Sequence, residues 1–159
     1  MERIGKNFHK DQIGMHDQFT KLKKILKILD EELYLYLESV DSLSLFYCYR
    51  WILVAFKREF PLSDIYPLWE AWFSDYYHEE LHLFIIIGML ISNRNIIIDD
   101  QMYFDEILAV ILLNTHNIKL FATKSHPEFV VDHCISYGVW LHKEFQEKAN
   151  HEQKLDIFG

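Results

Sequence analysis

Residues that favour turns are scarce in this chain of 159 residues, which has only five glycines and three prolines. That scarcity excludes collagen-like and low-complexity sequences, and it argues against a fold of many short strands joined by tight turns. Half of the residues are hydrophobic and 16% are aromatic, so enough apolar surface is present for a substantial core. The composition therefore favours a single folded unit built from long helices.

Cysteine and excess positive charge are also lacking. The two cysteines, Cys48 and Cys134, lie in apolar sequence without a paired spacing, which predicts buried free thiols in an intracellular protein. The formal net charge is −8, and residues 61–159 carry six basic side chains against fifteen acidic ones. We expect no nucleic-acid binding, because the phosphate backbone requires clustered cations that this sequence does not have.

Long hydrophobic runs are absent as well. The longest uncharged apolar run, Leu83 to Ser92, is half of the roughly 20 residues that a membrane-spanning helix requires. The first ten residues are polar and lack the apolar stretch of a signal peptide. The sequence therefore predicts no transmembrane segment and a cytoplasmic location.

Apolar side chains recur at steps of three and four in the first part of the chain, which is the period of a helix with one buried face. This spacing predicts a long helix from about Lys10 to Asp30 and a short helix that starts in the acidic turn at Asp30 and continues through Leu37. The clearest helical period covers residues 42–60, where we expect one helix with a buried stripe: Phe46, Tyr49, Leu53, Phe56 and Phe60.

The later part of the chain predicts further helices, over about 64–72, 77–92 and 104–114. A capping-box pattern, Ser125-x-x-Glu128, opens a last predicted helix to about Lys148, after which the chain is expected to fray. Isoleucine runs at 85–87 and 96–98 also suit strands, but no turn-bounded strands exist to pair with them. We therefore predict an all-α fold, a helical array of about seven or eight helices.

The segment His78-Glu79-Glu80-Leu81-His82 matches the pattern of zinc proteases, in which two histidines one helical turn apart bind the metal. A catalytic site also needs a third protein ligand. The extended metzincin pattern requires glycine and histidine where this chain has Ile85 and Gly88; a glutamate ligand at Glu106 remains open. We expect no bound metal and no cofactor, and keep His78 and His82 as weak candidates for a zinc site.

A more specific motif lies between residues 45 and 70. It reads Arg50-Trp51, then Phe56, then Arg58-Glu59-Phe60, and further on Leu68-Trp69-Glu70. This pattern resembles the signature of the TBC domain, the helical module of Rab GTPase-activating proteins. The resemblance covers roughly residues 1–122 and implies the fold of the C-terminal half of that domain, with residues 123–159 as a C-terminal helical extension.

Within the signature, the aromatic side chains Trp51, Phe56, Phe60 and Trp69 are expected to serve mainly as scaffold. If the predicted helix is continuous, Trp51 and Arg58 share a face on which an aromatic ring and a cation can meet a neighbouring helix.

The charged members of the signature have two interpretations. Arg50, Arg58 and Glu59 either form ion pairs within the fold or belong to the groove that faces the GTPase in this family. The structural interpretation is favoured, because charges among buried aromatic residues are normally paired.

The resemblance also implies where the chemistry of the family lies. An arginine in an Ile-x-x-Asp-x-x-Arg motif offsets transition-state charge, and a glutamine in a Tyr-x-Gln motif orients the attacking water. Both motifs belong to the N-terminal half of the domain, and neither occurs around any arginine or glutamine of this sequence. We therefore expect the chain not to be an enzyme and to be inactive alone.

The expected mode of action is protein binding, with a Rab-type small GTPase, other proteins or a second copy of the chain as partners. The family also implies a role in membrane traffic, with a cytoplasmic location that includes peripheral association with endomembranes. Two alternatives stay open: the chain is a fragment of a full-length active Rab GTPase-activating protein or, less favoured, a zinc hydrolase that uses His78, Glu79 and His82.

Overall fold

The computed structural model describes residues 5–8, 12–116 and 130–159, which form helices and connecting turns and no strand. The α-helices in these ranges are α1 (Ile13–Leu29), α2 (Glu31–Ser39), α3 (Tyr49–Leu53), α4 (Leu62–Phe73), α5 (Leu81–Ser92), α6 (Arg94–Asp99), α7 (Phe104–His116), α8 (Val130–Lys148) and α9 (His151–Phe158). Two short 3-10 helices span Lys6–Phe8 and Phe46–Cys48. The all-α prediction is confirmed, and both isoleucine runs lie in helices.

Helices α1 and α2 form where the sequence predicts them, because Asp30 separates the two. Its carboxylate accepts a hydrogen bond from the backbone N–H three residues later at 3.0 Å, which caps the start of α2. Two lysines on the outer side of α1 reach later segments of the chain: Lys21 contacts Glu80 at 2.8 Å and Lys24 contacts Asp156 at 2.7 Å.

The continuous helix predicted over residues 42–60 is wrong. Helix α3 ends at Leu53, and Ala55 and Phe56 adopt left-handed backbone conformations with φ of 49° and 60°. The N–H of Phe56 donates to the carbonyl of Trp51 at 2.9 Å and that of Ala55 to the carbonyl of Ile52 at 3.3 Å, which is a Schellman ending. The predicted stripe is therefore only partly buried.

The two ends of that stripe differ because the chain turns between them. Phe46 is 61% exposed, whereas Phe56 and Phe60 lie in the core. Buried positions of the segment instead include Tyr47, Cys48 and Trp51. In this segment, the spacing of apolar residues at steps of three and four therefore does not predict which side chains are buried.

Helix α5 is the centre of the structure, since every residue from Leu81 to Leu90 is buried. It begins four residues later than predicted and packs along α8. The two helices approach closely at two glycines, because a Cβ on Gly88 would lie 2.9 Å from the Tyr137 ring and one on Gly138 would lie 2.9 Å from Ile85 Cγ1.

The last residues do not fray as predicted but form α9. The Asn150 side chain accepts a hydrogen bond from the N–H of Gln153, and the Gln153 side chain accepts one from the N–H of Asn150. This reciprocal capping box starts the helix, which buries Ile157 and packs Phe158 against Phe84. The other predicted capping box, at Ser125 and Glu128, lies outside the described residues.

Both cysteines are buried and free, as predicted. Burial raises the pKa of the Cys134 thiol to about 12, so it is not a nucleophile at neutral pH. Within the ranges that the structure describes, no helix has both the length and the apolar character that crossing a membrane requires.

The contact between α5 and α8 generates a stability prediction for Gly138→Ala. The new Cβ would meet both the Ile85 side chain and, at 3.3 Å, the Ile85 backbone nitrogen, which cannot move aside. We expect a net loss of about 1–2 kcal/mol in the free energy of unfolding, since overpacking outweighs the better helix propensity of alanine. Urea unfolding followed by circular dichroism measures it.

Gly5→Ala is the matched control, because nothing lies within 4 Å of a Cβ at that position. We expect its unfolding free energy to stay within about 0.5 kcal/mol of the parent. The close-packing interpretation is wrong if Gly138→Ala is as stable as this control.

Candidate functional site

Two charged residues of the sequence signature, Arg50 and Glu59, meet at a corner between α3 and α4. The Arg50 guanidinium donates two hydrogen bonds to the Glu59 carboxylate, from Nε to Oε1 at 2.8 Å and from Nη2 to Oε2 at 2.9 Å. The Glu59 side chain has no exposed surface, and the Arg50 side chain is 28% exposed. A bidentate pair of this kind is strong and directional, so it fixes the path of the chain between the two residues.

Aromatic residues hold α4 against the same corner. The indole Nε1 of Trp69 donates to the carbonyl of Ala55 at 2.7 Å, which gives the left-handed turn a partner on the neighbouring helix. Phe56 lies edge-on to Trp72, with ring centroids 6.0 Å apart, and Trp51 is fully buried. Because these side chains pack within the protein, their role is to stabilise the fold.

Arg58 differs from the other charged residues of the signature. Its side chain is exposed, and within the described ranges it forms no ion pair. The predicted shared face of Trp51 and Arg58 does not exist, because the helix that would have created it ends at Leu53. Of the three charged candidates, Arg50 and Glu59 are thus used inside the fold and Arg58 points outwards.

The zinc-protease pattern does not form the geometry that its sequence suggests. His78, Glu79 and Glu80 precede α5, so the two histidines are not placed on one continuous helix. The His82 ring stacks on Trp72 at 4.4 Å between centroids and is buried. Across the described part of the chain, no three His, Cys, Asp or Glu side chains are grouped as metal ligands.

His78 instead packs against a histidine that the sequence did not single out. Its ring centroid lies 3.9 Å from that of His142 on α8. The pKa of His142 is lowered to about 4, chiefly by burial, with His78 and Lys154 acting in the same direction. Burial also lowers the pKa of His78 against the opposing effect of Glu80. Both rings are therefore neutral at pH 7.

A partly buried polar network was not predicted from the sequence. The side chain of Gln18 donates to Asn7 Oδ1 at 2.6 Å, and its Oε1 lies 2.8 Å from His82 Nε2. Asn7 and His82 are both buried, so the network ties the first described turn to α1 and α5. The only sign of this network in the sequence is that polar residues occupy buried positions on helical faces. That sign does not indicate which residues are hydrogen-bonded to each other.

The family model described as the Rab-GTPase-TBC domain matches residues 1–98. The GTPase-activating protein GYP7 of Candida glabrata is 37% identical over 108 residues, which are 68% of this chain and 14% of that protein. GYP7 of Saccharomyces cerevisiae matches with the same identity and shares. TBC1 domain family member 17 of Homo sapiens is 37% identical over 108 residues, which are 68% of this chain and 17% of that protein.

Because the family model matches more than half of the sequence, the chain belongs to the Rab-GTPase-TBC domain family. The resemblance inferred from the signature is therefore confirmed. The chain spans 14% to 17% of the length of these relatives.

The comparisons correct one expectation. The chain was expected not to be an enzyme, on the ground that the arginine and glutamine motifs are missing from the sequence. The yeast proteins that it matches are named GTPase-activating proteins, so that expectation is wrong. The absence of the arginine and glutamine motifs from a sequence that spans only 14% to 17% of its relatives' length does not establish that the protein is inactive.

The Arg50–Glu59 pair generates a stability prediction. Arg50→Met leaves the Glu59 carboxylate buried without its partner, and we expect a loss of about 3 kcal/mol in the free energy of unfolding. The double variant Arg50→Met/Glu59→Met should recover most of that loss, because both charges are then removed. Urea unfolding of the single and double variants measures the coupling between the two residues.

Arg58→Met is the matched control for this experiment, since it removes an exposed guanidinium eight residues along the same segment. It should change the unfolding free energy by less than about 0.5 kcal/mol. Equal losses in the Arg50 and Arg58 variants would show that the buried pair does not hold the corner.

The His78–His142 contact generates a prediction of pH dependence. The folded-state pKa of His142, about 4, lies below its unfolded value of roughly 6.5, so the fold favours the neutral ring. This contribution is complete above pH 6.5 and is lost as the pH falls towards 4. Thermal unfolding between pH 7.5 and 4 should show a steeper decline for the parent than for His142→Phe.

The control for the pH experiment is His16→Gln, because His16 is an exposed histidine on α1. Its unfolding temperature should follow the pH dependence of the parent. A decline in His142→Phe as steep as that of the parent would contradict the assignment to this histidine.

Proposed function

We propose that this chain acts in the activation of Rab-type GTPases, as the C-terminal half of a TBC domain in residues 1–122 with a helical extension in residues 123–159. The observation that carries the proposal is the family match over residues 1–98, supported by a signature in which Arg50, Glu59 and Trp69 hold the corner between α3 and α4. Its action on the GTPase includes direct protein binding.

The exposed guanidinium of Arg58 is the side chain that we assign to contact with the GTPase. Arg50 and Glu59 satisfy each other inside the fold, whereas Arg58 remains available for a carboxylate on a partner. Tyr66, which is largely exposed, lies on the outer face of α4 together with part of Trp69. Arginine, tyrosine and tryptophan are the residue types most enriched at the energetic centres of binding surfaces.

The extension shares its core with the preceding helices. Gly138 on α8 packs against Ile85 on α5, and Phe158 on α9 packs against Phe84. Removing the extension would therefore expose the face of α5 that it covers. We propose that residues 123–159 stabilise the GTPase-binding half, and that the chain acts where Rab-type GTPases work, at the surface of endomembranes.

The test measures both binding and hydrolysis with a panel of Rab GTPases loaded with GTP. Binding to the full chain is followed by biolayer interferometry. Phosphate release is followed with the chain alone and with the chain supplemented by a family segment that carries the Ile-x-x-Asp-x-x-Arg and Tyr-x-Gln motifs. At least one Rab should bind, and its supplemented reaction should accelerate on the order of 10³-fold or more.

Two variants sharpen the test. Arg58→Ala should weaken Rab binding at least tenfold, a change of about 1.4 kcal/mol, without a change in unfolding temperature. Lys143→Ala removes an exposed cation from α8 and should bind like the parent. Failure of every Rab to bind and to respond in either arm would overturn the proposed function, and normal binding by Arg58→Ala would overturn the role of Arg58.

A further inference from the structure

A groove of about 600 Å³ runs between α4 and α8, on a different face of α4 from Tyr66 and Trp69. Its α4 side is formed by positions 67, 70, 71 and 74, and its α8 side by positions 132, 135 and 136. These spacings place one face of each helix towards the groove. A volume of this size falls in the range of sites that bind ligands and peptide side chains.

The groove has a floor of buried apolar side chains, Ala71 and Ile135. Ser74 and Ser136 are short and exposed, and they leave space between the two helices. Larger residues at these positions would close the gap, since side chains normally fill the space between packed helices. The floor is thus suited to the methylene groups of a long side chain.

The walls of the groove are acidic and aromatic. Glu70 on α4 and Asp132 on α8 are both exposed, and neither forms an ion pair within the ranges that the structure describes. Tyr76 and Tyr77 complete the lining, with Tyr76 79% exposed and the two rings in an edge-to-face arrangement 4.8 Å apart. None of the nine lining residues is a lysine or an arginine.

We propose that this groove binds an arginine side chain presented by a peptide segment of a partner protein. The apolar floor accepts the stem of the side chain, the Glu70 and Asp132 carboxylates complement its charge, and a tyrosine face stacks on the planar guanidinium. Arginine fits better than lysine, because its flat and weakly hydrated head stacks on rings and bridges two carboxylates.

Binding of arginine in this groove does not depend on the proposed function. Arg58 lies outside the groove, and the test below needs no GTPase. A negative result in one experiment therefore leaves the other intact.

The experiment uses the full chain and two fluorescein-labelled peptide libraries that differ at one position. The central residue is arginine in the first library and citrulline, its neutral isostere, in the second. Fluorescence polarisation should show at least tenfold tighter binding of the arginine library. Glu70→Gln and Asp132→Asn should each weaken that binding at least fivefold, and Tyr76→Ala should weaken it whereas Tyr76→Phe should not.

Glu147→Gln is the matched control, because it neutralises an exposed carboxylate on α8 outside the groove; it should bind like the parent. Equal affinity for the two libraries, or binding unchanged in both Glu70→Gln and Asp132→Asn, would overturn the proposal. Sedimentation velocity supplies a further arm. A dimer of the parent that Glu70→Gln converts to a monomer would identify a second copy as the occupant and would also overturn it.

Discussion

The carboxylate of Glu59 has no contact with water, and it is compensated through one partner, the guanidinium of Arg50. Because the two residues are nine positions apart, they cannot meet along a continuous helix. The chain has to leave the helical path after Leu53, and Ala55 and Phe56 accept left-handed conformations to allow it. That turn then offers its carbonyl to Trp69, which places α4, and α4 forms one wall of the groove against α8.

Much of the fold was predictable where the signal is local. The period of α1, the acidic cap at Asp30 and the buried run of α5 each depend on neighbours within a few residues. The break after Leu53 does not, since Phe56 and Phe60 keep the helical spacing and are buried whether or not the helix continues. Contacts between residues that are distant in sequence, from Trp69 to Ala55 and from Arg50 to Glu59, decide whether the helix continues or ends at Leu53.

In the candidate site, too, local features could be predicted from the sequence and contacts between distant residues could not. The sequence left open whether Arg50, Arg58 and Glu59 form ion pairs within the fold or face the GTPase, and it did not indicate that Arg50 pairs with Glu59 in the structure. The outward position of Arg58 could not be predicted, because it follows from a turn that the sequence pattern does not reveal. His142 was missed for a similar reason: nothing near it in sequence indicates that His78 will pack against its ring. The capping box at Asn150 and Gln153, by contrast, joins residues three positions apart and is a local signal in the sequence.

The contact between Lys24 on α1 and Asp156 on α9 joins residues 132 positions apart, and this separation has a consequence for synthesis. At roughly 5–20 residues per second on the ribosome, Asp156 follows Lys24 after roughly 7–26 s. During that interval the apolar face of α1 cannot acquire all of its final neighbours, although an isolated helix forms within microseconds. The newly made chain therefore exposes part of the apolar face of this segment, which is the kind of surface that chaperones recognise.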